Sequence, residues 1–139
     1  MTAFVWALIT ACIWGIVPLL EKIGLGSSSP ALGVMVRSLG ILVGLVVFSL
    51  AGFPWSAVQS MSAKSVALLV TGGLLASFVG QMVFYQALRS GAISQVTPVA
   101  GAYPLVAALL GWVILREPFT WPRLLGVACV VIGVLLLRK

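Results

Sequence analysis

The sequence predicts an all-α integral membrane protein with five transmembrane helices. Of its 139 residues, 62% are hydrophobic and only 7% are charged, where a soluble domain carries about 25% charge. The mean hydropathy is +1.24. The apolar residues fall in five runs, each close to the roughly 20 residues that a helix needs to cross a bilayer. No run alternates polar and apolar residues with period two, and lipid offers backbone groups no water, so the runs read as helices rather than strands of a barrel.

The first segment runs from about residue 3 to residue 20 and ends at Glu21-Lys22. A turn, GLGSSSP, follows, with Ser29 placed as an N-cap and Pro30 as the first helical residue. The second segment covers about 30–51. The loop after it carries Phe53, Trp55 and Lys64, residue types that settle at the head-group level. The third segment spans about 64–88 and ends in Arg89-Ser90-Gly91, the glycine suiting a helix C-terminal cap. The fourth spans about 92–115. REPFTWPR breaks the chain, Thr120 is the expected cap, and the fifth segment runs over 121–137 before Arg138-Lys139. No linker, low-complexity stretch or internal repeat divides the chain, so residues 1–139 read as a single transmembrane domain.

Several functions are excluded. The formal charge is +6, but the eight Lys and Arg are scattered without an aromatic-basic surface run, which argues against nucleic acid and for anchoring at lipid head groups. Cys12 and Cys129 lie in apolar runs and read as small packing residues; there is no His and no metal-ligand spacing, so no metal or cofactor is expected. Ile9-Thr10-Ala11-Cys12 loosely resembles a lipidation site, but no Lys or Arg precedes it and its apolar run is short, so the first segment reads as a retained span. There is no Asp, and the two carboxylates, Glu21 and Glu117, read as charges paired with their neighbours Lys22 and Arg116. The chain is not expected to be an enzyme, and without a Walker loop it does not couple to ATP directly.

Five spans place the termini on opposite faces. One face holds Lys64, Arg116 and Arg123, three cations; the other holds Lys22, Arg89, Arg138 and Lys139, four. The positive-inside rule needs a clear excess on one side, and this chain has almost none. Either another signal or a partner sets one orientation, or the chain inserts both ways and pairs with an inverted copy, building an inverted-repeat transporter arrangement from a homodimer.

The interior faces carry the candidate site. Arg37 sits inside PALGVMVRSLGILVGLVV, on a line with Gly33, Gly40 and Gly44 at i, i+4, i+7 and i+11, stopping at Phe48. Small-residue stripes let membrane helices approach closely. An unpaired charge at that depth costs at least about 2.5–3.5 kcal/mol, so Arg37 faces the bundle as either a structural tether or a substrate contact. On the third helix Gly73, Ser77, Gln81 and Tyr85 follow at i+4 steps beside Gly80; Gln81 and Tyr85 either line a polar cavity or bridge helices. Pro98 and Pro104 deprive the carbonyls of Ser94 and Ala100 of their usual donors, and Pro18 does the same to Trp14. Bent helices with free carbonyls are one way transporters build midplane sites. Trp6, Thr10 and Trp14 share a drifting face, with Trp14 either an aromatic wall of the site or a packing residue. Gly126, Cys129 and Gly133 form a small stripe on the fifth helix, suited to helix or subunit contact.

Together these residues resemble a single EamA-type repeat of the drug/metabolite transporter superfamily. The likeness rests on Trp14-Gly15 with Lys22 eight residues after the tryptophan, Arg37 in the second helix, Tyr85-Gln86-Ala87-Leu88, Pro104, Glu117, Gly126 and Gly133, and it covers nearly the whole chain. Typical members have two repeats and ten helices. Because five is odd, fusing two copies inverts the second, and a one-repeat chain recreates that pair by dimerising. The resemblance implies a secondary transporter, often an exporter of metabolites or amino acids, using alternating access around a central cavity, in a bacterial or archaeal cytoplasmic membrane. The chain is similar in size to the small multidrug-resistance proteins, but those rely on a carboxylate deep in helix one. Glu21 stands near the segment's end, which speaks against proton-coupled export of cationic drugs, and Arg37 tilts the expected solute toward anions or zwitterions. The rival readings are a non-transporting membrane subunit that stabilises a partner, and a component of a lipid-linked sugar flippase.

Overall fold

The structure is a computed structural model that describes residues 2–52, 55–118 and 120–137. Expectations placed on Phe53, Arg138 and Lys139, and on the side chain of Trp55, lie outside what is described. The described residues form helices joined by short connections, and four helical stretches are long and apolar enough to cross a membrane: Ala3–Leu25, Pro30–Leu50, Ala63–Ser90 and Ile93–Val113. A fifth apolar helix, Trp121–Leu136, is shorter at 16 residues. The chain divides into two compact units, Met1–Arg89 and Ser90–Lys139.

In the first unit, α1 (Ala3–Leu25) carries Pro18 in its interior. It does not end at Glu21-Lys22 as expected but continues one turn further. Charged residues do not break a helix; the stop is Gly26, whose φ of +48° is a left-handed conformation that glycine adopts without a Cβ penalty. After a turn closed by Ser28 N–H donating to the Leu25 carbonyl (2.8 Å), α2 (Pro30–Leu50) opens as the sequence indicates. Ser29 Oγ accepts from Leu32 N–H at 3.2 Å, with Pro30 in the first turn. The following loop contains a one-turn helix that the apolar pattern did not reveal, α3 (Trp55–Gln59).

The third span is interrupted. Ser62 caps α4 (Ala63–Leu74) by accepting from Ser65 N–H at 3.0 Å. Leu75–Val79 then forms a π turn, and α5 (Gly80–Ser90) completes the span. Gly80 N–H donates to the Leu75 carbonyl, five residues back. A Cβ on Gly80 would stand 2.9 Å from that same carbonyl oxygen, so the π turn requires glycine there. Among the described residues of this unit, Pro18, Leu25, Val34, Tyr85 and Leu88 are buried, drawn from α1, α2 and α5.

In the second unit the fourth span is two helices, α6 (Ile93–Ala100) and α7 (Tyr103–Val113), separated at Gly101-Ala102. Pro98 lies inside α6, but Pro104 stands in the first turn of α7 rather than kinking a continuous helix. A first-turn proline lacks only a donor that has no intrahelical acceptor anyway. Gly91 is not among the positive-φ glycines, so the expected left-handed cap is absent at that position. The connector after α7 places Arg116 at φ +53°, and Glu117 N–H returns to the Gly111 carbonyl at 3.1 Å. Thr120 precedes α8 (Trp121–Leu136) with extended backbone, yet its side chain makes no capping bond. Cys12 and Cys129 are free and exposed, not packed as expected.

Candidate functional site

A polar cluster forms where α1, α2 and α5 of the first unit meet. On α1, Glu21, Gly24 and Leu25 lie at i, i+3 and i+4, one helical face. On α2, Gly33, Val36 and Arg37 repeat the same spacing. The two faces are brought close by Gly33, where a Cβ would fall 2.7 Å from Leu25 Cδ1 and 2.7 Å from Tyr85 Cε2. The missing side chain is what admits the tyrosine ring.

Glu21 is the hub. Its Oε1 accepts from Gln81 Nε2 at 2.9 Å and from Tyr85 Oη at 3.1 Å, and pairs with Arg37 Nε at 3.2 Å. Its side chain is 10% exposed and that of Arg37 31%. A lone charge at the centre of a span costs about 2.5–3.5 kcal/mol to insert on the translocon scale; here the two form a neutral pair whose carboxylate has three donors. Arg37 Nη1 is buried without a hydrogen-bond partner, so the guanidinium keeps a donor that the protein does not satisfy. Next door, Lys22 Nζ donates to the Leu88 carbonyl near the end of α5, a second tie between α1 and α5. A cavity of about 310 Å³ lies against this cluster. Its polar wall is Glu21, Arg37, Tyr85 and Ser28, and its apolar wall includes Leu20, Leu32 and Val36.

Three residues singled out in the sequence, Arg37, Gln81 and Tyr85, therefore converge on one atom. The acceptor they share was missed. By adjacency Glu21 reads as the partner of Lys22, but its Oε1 pairs with Arg37 Nε at 3.2 Å while Lys22 Nζ donates to the Leu88 carbonyl; adjacent helical residues point in directions about 100° apart. The available signal was charge accounting: an arginine inside a span needs an acid, and Glu21 is the single acid in residues 1–89. Glu117 likewise pairs not with Arg116 but with Arg123 Nη1, at a loose 3.9 Å, while that nitrogen donates to the Pro118 carbonyl at 3.2 Å.

None of the other candidates is among the partners of Glu21 described above. Trp14 lies about two turns before Glu21 on α1 and is 58% exposed. Thr10, on the same drifting face, turns its hydroxyl back to the Trp6 carbonyl at 2.9 Å. Ser77 lies within the π turn, where the inserted residue interrupts the i+4 line that runs from Gly73 through Ser77 to Gln81. Pro98 and Pro104 belong to the second unit, where Thr97 Oγ1 is buried without a partner beside the α6–α7 break. Added Cβ atoms at Gly40, Gly44, Gly126 and Gly133 would meet nothing within 4 Å, so these glycines present open faces on the single chain.

Residues 1–139 match the EamA-like transporter family over their whole length. The chain belongs to the EamA-like transporter family. It is similar to an uncharacterized protein of Methanocaldococcus jannaschii, 24% identical over 136 residues that cover 98% of this chain and 96% of the relative. No solved structure matches. This EamA-like chain is thus an integral membrane member of the drug/metabolite transporter superfamily, and residues 1–139 hold one match to the family.

Proposed function

We propose that this EamA-like chain is a secondary transporter, an exporter of a small metabolite, amino acid or drug-like solute, working as a homodimer of oppositely oriented copies by alternating access. The observation that carries the reading is the Glu21–Arg37–Gln81–Tyr85 cluster beside a cavity of about 310 Å³ whose apolar wall includes Leu20, Leu32 and Val36. Ionisable groups within membrane spans are costly, and in a membrane they commonly mark a solute pathway. The cavity is of the size that accepts small molecules.

The cluster favours a zwitterion or anion. Arg37 neutralises Glu21, which leaves no net negative charge to hold a cation, and the guanidinium retains an unpaired donor. Trp14 in the first unit and, separately, the broken backbone near Pro98 and Pro104 in the second are further candidate solute contacts, with residues 1–139 acting as one repeat. Gly40, Gly44, Gly126 and Gly133 supply the faces on which two copies approach each other, consistent with the open space beside each. The near balance of cations on the two faces, three against four, supports insertion in both directions. The likeness to an archaeal protein supports a bacterial or archaeal cytoplasmic membrane as the location.

The test is efflux from proteoliposomes loaded with a panel of labelled amino acids, organic anions and organic cations. Arg37→Lys keeps a charge but loses Nε; it should weaken transport of zwitterions or anions while the dimer stays folded. Unimpaired transport by Arg37→Lys, or transport confined to cations, would defeat the assignment.

A further inference from the structure

We propose that the π turn at Leu75–Val79 is a register switch that engages and releases the Glu21 cluster by rotating α5. The proposal rests on the transport reading for its use, but not for its existence.

The π turn lies immediately before the two donors it controls. Gln81 and Tyr85 follow its last residue, Val79, by two and six positions, and both bond Glu21 Oε1. A π turn holds one residue more than the corresponding α-helical turn, and such bulges cluster at functional positions in helices. If the extra residue is taken up into regular α-helix, everything downstream turns by about 100° and advances by about 1.5 Å relative to α4. A rotation of that size carries Gln81 and Tyr85 off Glu21, which is left with Arg37 alone. It also moves the Leu88 carbonyl away from Lys22 Nζ. Tyr85 is part of the cavity wall, so its departure enlarges the cavity towards α5.

Two further features fit a switch. None of the residues of the π turn is buried, so little packing resists its rearrangement. The turn is conditional on Gly80, because a Cβ there would sit 2.9 Å from the Leu75 carbonyl oxygen, a backbone atom that cannot step aside as a side-chain tip can. The engaged state is held at the other end by specific contacts, the Tyr85 ring over Gly33 and the bonds to Glu21. One register is thus favoured by side-chain bonds, and the other by regular backbone geometry.

Two variants push the switch in opposite directions. Gly80→Ala disfavours the π turn and should release α5. Deleting Ala76 removes the extra residue while keeping α4 and α5 in their present register, and should lock the cluster closed. The readout is the side-chain ¹⁵N resonance of Gln81 in the full chain in lipid nanodiscs, with Glu21→Ala marking the released position. Gly80→Ala should move the Gln81 signal to the released position, and the Ala76 deletion should hold it at the wild-type position while abolishing exchange broadening and efflux. A wild-type Gln81 signal in Gly80→Ala, or a released signal in the deletion, overturns the switch. Should Gly80→Ala fail to fold, the deletion alone decides. Should wild-type protein move no solute, the transport reading falls, while the two Gln81 signals still decide whether α5 switches register.

Discussion

The tightest contact in the first unit gives the sharpest test of its geometry. Replacing Gly33 with Ala introduces a Cβ 2.7 Å from Leu25 Cδ1 and from Tyr85 Cε2, and 2.8 Å from Tyr85 Cδ2. Favourable carbon–carbon contacts lie at about 3.5–4.0 Å, so the shortfall is roughly 0.7 Å or more on both neighbours. The leucine methyl can rotate away. The tyrosine ring is 3% exposed and its hydroxyl is fixed to Glu21 at 3.1 Å, so it yields only by tilting off that carboxylate. Overpacking of this kind costs about 1–3 kcal/mol, and losing a hydrogen bond to a charged group about 1.5–3 kcal/mol. The better helix propensity of Ala returns about 0.8–1 kcal/mol. The net is a loss of at least about 1.5 kcal/mol. Reversible unfolding in mixed detergent micelles, followed by circular dichroism, measures it. Gly72→Ala, where an added Cβ meets nothing within 4 Å, is the control and should be neutral or stabilised by up to about 1 kcal/mol. In a Tyr85→Phe background, with no bond left to break, Gly33→Ala should cost less. Gly33→Ala protein as stable as Gly72→Ala would refute the close approach of α1, α2 and α5 at this point.

Glu21→Gln and Arg37→Leu should each destabilise the fold, and the double variant should lose less than the sum; a thermodynamic cycle on the same unfolding assay is expected to show coupling of about 1–3 kcal/mol, and additivity would mean the pair is not formed. Gly126→Leu fills the open face of α8 and should weaken self-association measured by energy transfer between labelled copies in liposomes, leaving helix content unchanged. Sidedness labelling of both termini in cells should find each on both faces in comparable amounts; a single orientation removes the inverted pair.

Much of this architecture is legible in the residue order because lipid imposes a coarse rule. A long apolar run must satisfy its own backbone, and so each of the five runs is helical, although the third and fourth are interrupted and the short α3 lies outside them. Start signals also read well where one atom decides, as at Ser29 with Pro30. The misreadings share a cause: they concern direction rather than composition. Glu21-Lys22 looks like the end of a span, yet only Gly26 changes the backbone. The i+4 line through Ser77 assumes an unbroken 3.6-residue period, and one inserted residue at Leu75–Val79 turns Gln81 and Tyr85 onto a different face. Pro104 reads as a kink when the chain has already stopped at Gly101-Ala102. Glu21 is not legible as the partner of Arg37 because sixteen positions separate them, and only the fold of the α1–α2 hairpin brings them to 3.2 Å.

The brevity of α8 carries its own consequence. Sixteen residues rise about 24 Å, against an oily interior of about 30 Å. A bilayer meets such a rod by pinching inward around it, at a modest cost for every ångström of mismatch. Chain length of the surrounding lipids therefore becomes a control on this protein: thinner membranes relieve the dimple, and thicker ones drive short helices to shelter against one another.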